Sequence, residues 1–134
     1  MKTIYQLFVE GIPKPQPRPR LANNGKVFNP HSADAWKNQI KAAFIACRQE
    51  TITTPVCLKA AFYLPMPKDM KKNLTLADEV IAHNTIPDLD NFLKSLMDGI
   101  TNAGIWKDDA LVYKIESEKW YSPTRIGARI IIEA

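Results

Sequence analysis

A single α/β domain, with a mixed sheet of about four strands and two main helices packed on it, is what this chain predicts, and three observations predict it. Four segments, residues 3–10, 55–64, 110–120 and 126–132, alternate in polarity or are dense in β-branched and aromatic residues. Two others, residues 32–48 and 88–102, carry apolar side chains at helical spacing. With 134 residues and no repeat or linker, the chain can enclose one core but not two, so residues 1–134 read as one domain.

Taken in order, residues 3–10 set Thr3, Tyr5, Leu7 and Val9 against Ile4, Gln6, Phe8 and Glu10, the period of a first strand. From Gly11 to Arg20 proline recurs at positions 13, 15, 17 and 19, which blocks helix and ladder alike and favours a stiff extended arm. The arm presents Lys14, Arg18 and Arg20, and the Asn23-Asn24-Gly25 turn follows it with Lys26. Trp36, Ile40, Ala43, Phe44 and Cys47 then form the stripe of an amphipathic helix that Ser32 is placed to cap. His31 and His83 have no ligand or nucleophile partner in sequence and read as surface residues.

Val56, Leu58, Ala60 and Phe62 mark the second strand, which Pro65-Met66-Pro67 ends. The polar stretch beyond it admits a short helix around residues 73–80, a candidate flap. After Pro87 come Leu89, Phe92, Leu93, Leu96, Met97 and Ile100 on one helical face, with Asn102 to Gly104 as the stop. The segments at 110–120 and 126–132 flank Ser122-Pro123-Thr124 and predict a closing hairpin.

Composition excludes several classes. No run approaches the roughly 18 apolar residues of a membrane span, the N-terminus has neither a long apolar run nor a cleavage site, and Cys47 and Cys57 lie in apolar-periodic segments, reading as buried free thiols of a cytoplasmic protein. Charge is unevenly spread. Residues 1–50 hold eight Lys/Arg against three Asp/Glu, whereas residues 87–134 hold six against eight. A basic front suits a phosphate-rich partner.

The acidic back is the more specific signal. Asp88-Leu89-Asp90-Asn91 opens the second main helix, Lys94 follows one turn later, and Asp108-Asp109 precedes a strand. Each piece has a structural explanation: Asp88 as a helix N-cap, Asp90 and Lys94 as a surface ion pair, Asp108-Asp109 as turn residues. Four carboxylates around one helix-turn-strand unit nevertheless repel one another, and a divalent cation removes that cost. Oxygen ligands without His or Cys suit a hard ion such as Mg²⁺ or Mn²⁺. An EF-hand is excluded because Leu93 and Gly99 fall where its Gly and Glu belong, and there is no Gly-rich phosphate loop. The chemistry this predicts is metal-assisted phosphodiester cleavage, with Asp90 and Asp109 holding the ion, Asp88 and Asp108 assisting, and Lys94 stabilising charge on the phosphate. A non-catalytic DNA-binding protein would share the basic arm, and a nucleotide phosphohydrolase would share the acidic cluster.

On these residues the chain resembles the RusA family of Holliday-junction resolvases, small endodeoxyribonucleases of bacteria and prophages. The resemblance runs through Gly11-Ile12-Pro13, Pro17-Arg18-Pro19-Arg20, Asn24-Gly25-Lys26-Val27-Phe28, Pro87-Asp88-Leu89-Asp90-Asn91 with Lys94 and Asp98, Trp106-Lys107-Asp108-Asp109, and Lys119-Trp120-Tyr121. It implies an α/β homodimer that binds four-way DNA junctions by shape and makes two symmetric nicks with Mg²⁺, for which Mn²⁺ can substitute. Asp88, Asp90 and Asp109 match the family's essential acidic positions and Lys94 its essential lysine, while Lys14, Arg18, Arg20, Lys26 and Lys119 become the DNA contacts. Some members carry a basic run before the first Asp, where this chain has the neutral Asn84-Thr85-Ile86-Pro87.

Overall fold

The computed structural model describes residues 1–134. Its frame is a five-stranded mixed sheet in the order β1 (Thr3–Glu10), β7 (Gly127–Glu133), β4 (Val56–Pro65), β6 (Val112–Ser122) and β5 (Ile81–Ala82). A separate two-stranded ribbon, β2 (Arg20–Leu21) with β3 (Val27–Phe28), closes the basic arm. Three helices complete the domain: α1 (Asp34–Ala46), α2 (Lys68–Lys71) and α3 (Leu89–Asn102). None of them is long and apolar enough to cross a membrane.

The topology follows from which edges each strand can satisfy. β7 runs antiparallel to both β1 and β4, and β4 runs parallel to β6. A parallel pair needs a crossover, and α3 supplies it between β4 and β6 as α1 does between β1 and β4. The predicted hairpin of residues 110–120 with 126–132 is therefore corrected, because β4 lies between them. Residues 123–126 suffice for the step: a few extended residues span the roughly 10 Å of two inter-strand spacings. The burial of β4 at Val56, Cys57, Leu58, Ala60, Ala61, Phe62 and Leu64 fits its central place in the sheet, with β7 along one edge and β6 along the other.

One face of the sheet holds the core. Tyr5 and Val9, the even positions of β4 from Val56 to Leu64, and Ala128, Ile130 and Ile132 meet Trp36, Ile40 and Phe44 of α1 and Phe92, Leu96 and Ile100 of α3. Phe62 stacks on Phe92 at 5.4 Å, and Tyr5 meets Phe44 edge-on at 5.6 Å. Gly99 lets the two helices approach: a Cβ there would stand 2.9 Å from Ile40. On the opposite face Lys59 bonds Glu133 at 2.8 Å, and Arg125 lies 3.7 Å from the centre of the Phe8 ring.

Local chemistry sets the helix ends. α3 stops where Gly104 takes a positive φ of 73°, its N–H donating to Thr101 while Ile105 donates to Ile100, a Schellman closure sealed by two buried isoleucines. At α1 the first-turn contact is His31 Nδ1 to Asp34 Oδ2 at 2.8 Å, and Ala33 rather than Ser32 occupies the cap position with no side-chain bond. Cys47 follows the last turn and is exposed, so of the two thiols only Cys57 is buried. Residues 73–80 form turns; the short helix beyond β4 is α2, nucleated after Pro67.

Candidate active site

The acidic residues collect at one end of α3. Asp88 holds the N-cap position with extended backbone, φ −70° and ψ 149°, and Asp90 lies in the first turn. The Asp88 carbonyl accepts from the amides of Asn91 and Phe92, but its carboxylate makes no capping bond. Neither Asp88 nor Asp90 enters an ion pair, and both are exposed. Two unpaired carboxylates thus sit at the positive end of the α3 helix dipole, an end that favours negative charge.

The second pair lies beyond α3. Asp108 accepts the Ala110 amide at 2.8 Å and caps a 3-10 turn over Asp109–Leu111. That bond, aided by the Asp109 carboxyl and by Lys107, holds the Asp108 carboxyl below its ordinary range. Asp108 is therefore half committed to shaping the turn, with one oxygen left over. Asp109, partly buried, faces back to α3, where Lys94 Nζ stands 3.9 Å from its Oδ2.

Lys94 is held from the other side by Asp98 Oδ1 at 3.2 Å, and Asp98 Oδ2 in turn reaches Lys37 of α1 at 3.3 Å. The partner of Lys94 is thus Asp98 rather than Asp90, both being one helical turn away. Helical spacing alone ranks the two equally; Lys37 on a neighbouring helix decides between them. The resulting relay Lys37–Asp98–Lys94–Asp109 ties the acidic turn to both helices.

As the side chains stand, no three His, Cys, Asp or Glu groups converge on one point. The structure brings Asp109 to Lys94 and places Asp88 and Asp90 at the start of the same helix. The donor set is all carboxylate oxygen, which matches a hard divalent ion, and Asp88 and Asp90 have no other partner to lose.

The basic arm is anchored to this helix. Gln16 donates its amide to Asn91 O at 2.9 Å, and the buried Ser95 hydroxyl reaches Lys14 O. Lys14, Arg18, Arg20 and Lys26 are exposed and free of ion pairs, the last two on the β2–β3 ribbon and its turn. Lys119 is placed differently: its ammonium donates to Thr85 O at 2.7 Å and Pro87 O at 2.9 Å. His83 is not a plain surface residue either. Its ring packs on Tyr121 at 4.5 Å, its Nδ1 is buried without a partner, and burial followed by the Lys119 charge lowers its pKa.

Comparison with curated proteins yields no match. The family model described as Endodeoxyribonuclease RusA matches residues 10–133, a span that takes in the arm, both acidic pairs, Lys94 and Lys119. The chain belongs to the RusA family and is a crossover-junction endodeoxyribonuclease.

Proposed function

We propose that this protein resolves four-way DNA junctions as a homodimer, making paired symmetric nicks with Mg²⁺ during recombination and repair. The observation that carries the site is the pair of uncompensated carboxylates, Asp88 and Asp90, at the end of α3 along which the cationic arm is fastened. Asp88, Asp90 and Asp109 would hold the ion, with the remaining oxygen of Asp108 available. Mg²⁺, or Mn²⁺ in its place, would supply charge neutralisation at the scissile phosphate and acidify a bound water.

The chain's own groups do the rest. Lys94, steadied by Asp98, offers a cation to the phosphate or the leaving oxygen beside Asp109. Lys14, Arg18, Arg20 and Lys26 attract the backbone without reading sequence. A two-fold dimer presents two such sites to a junction of matching symmetry. Family membership favours this reading over a non-catalytic DNA-binding protein and over a nucleotide phosphohydrolase.

The test is cleavage of a labelled synthetic four-way junction against linear duplex, with Mg²⁺ or EDTA. Symmetric nicks in the junction alone, abolished by EDTA, support the proposal. Equal cutting of duplex would remove structure selectivity, and cutting in EDTA would remove the metal.

A further inference from the structure

The Asp88 carboxylate accepts no hydrogen bond and has no ion partner, so its direction depends on the backbone that carries it. On the helix side that backbone is fixed by the Asn91 and Phe92 amides bonding Asp88 O at 3.2 and 3.4 Å. On the other side residues 81–87 form an edge segment whose ties all lead to one strand, β6. Ile81 pairs with Tyr121 and Ala82 with Trp120, and the His83 amide donates to Lys119 O at 3.1 Å. The Thr85 and Tyr121 hydroxyls lie 2.9 Å apart, and the His83 ring rests on the Tyr121 ring. Beyond the two-residue β5 there is no further ladder, yet the chain must still reach Asp88 in a defined direction. The Lys119 ammonium spans that gap, donating to the carbonyls of Thr85 and Pro87, the second of them directly preceding Asp88.

We propose that Lys119, with Tyr121, clamps residues 83–87 and so aims Asp88 at the site, which makes Lys119 a positioning residue rather than a DNA contact. Three features of the side chain suit it to this work. An ammonium has three donors on a flexible stem, so it can serve two carbonyls at once. Bonds from a charged donor are stronger than those between neutral groups. Spent on carbonyls, the charge is a poor candidate for a mobile phosphate contact, in contrast to the unpaired Arg18 and Arg20.

The inference rests on Asp88 belonging to the metal site, and its test separates the two ideas. In the full chain, Lys119→Met, Lys119→Arg, Tyr121→Phe and Asp88→Asn are compared with wild type. Three quantities are read: junction affinity against salt in EDTA, cleavage against Mg²⁺ concentration, and hydrogen exchange across residues 81–92. For Lys119→Met the clamp requires unchanged affinity and salt slope. The half-saturating Mg²⁺ should rise about tenfold, the size typical when an outer-shell partner of a metal ligand is lost. Exchange in residues 81–92 should accelerate while β1, β4 and β7 stay protected. Lys119→Arg should recover most of both effects, and Tyr121→Phe should shift them the same way by less.

Weaker junction binding with a salt slope reduced by about one charge would make Lys119 a phosphate contact and overturn the proposal. Unchanged exchange and Mg²⁺ dependence would overturn it too. Should Lys119→Met fail to fold, the folded Tyr121→Phe variant decides by the same readouts. Full cleavage by Asp88→Asn would instead sink the reading of the site, and the exchange data would still report on the clamp.

Discussion

Asp90 lies in the first turn of α3 and Asp108 caps the 3-10 turn over Asp109–Leu111, and the structure gives them opposite employment. Asp90 has no protein partner, so Asp90→Asn should leave folding intact and lower junction cleavage by roughly 10²-fold or more, as expected when about 3 kcal/mol of charge stabilisation is lost. Junction binding in EDTA should hold or tighten, because a charge that repelled phosphate is gone; turnover like wild type would take Asp90 out of the site. Asp108 is tied to the Ala110 amide, and its folded-state carboxyl ionises below the ordinary value of 3.8. A depressed pKa contributes stability that is fully present above that value and drains away as pH falls through the folded one. Asp108→Asn keeps the acceptor and loses the charge, so urea unfolding followed from pH 6 to pH 3 should show a shallower acid decline in the variant. An identical decline would leave the carboxylate with no part in acid stability. Helical spacing could bring Lys94 equally to Asp90 or Asp98; the choice came from Lys37, 61 residues upstream of Asp98, and no local pattern encodes that.

At the scale of elements, the contact between α1 and α3 leaves no room for a side chain at Gly99. Gly99→Ala should cost about 1–3 kcal/mol by overpacking against Ile40, checked by urea denaturation; a neutral result would mean that the helices separate at little cost. The arm makes a different prediction. With Arg18 and Arg20 both replaced by alanine, the logarithmic salt slope of junction binding should flatten by about 1.8. An unaltered slope would show that these cations do not touch DNA. β1, β4, α1 and α3 were legible because period-2 and period-3.6 patterns report burial directly, and Gly104 announced the end of α3. Partner choice was not legible. Residues 126–132 read as a strand, but alternation says nothing about which edge receives it, and β7 fills the place between β1 and β4. Cys47 fits the apolar stripe of α1 yet falls just past its last buried turn, and the fates of His83 and Lys119 depend on an edge segment with no periodicity at all.

For the molecule as a whole, the proposed paired nicking calls for two copies. Sedimentation of the purified protein should give twice the 15.2 kDa of one chain, and a monomer that still nicks both strands would separate symmetry from assembly. β1 pairs with no strand but β7, and the second edge of β4 is also met by β7, so the sheet stays in two pieces without residues 127–133. Translation delivers those residues more than a hundred positions after β1, a delay of roughly 6–25 s at ordinary elongation rates. Chains stalled on the ribosome at residue 120 should therefore be cut by protease within residues 3–10, where completed chains resist. On this prediction an enzyme that cuts DNA stays unassembled until its last strand, β7, has been delivered.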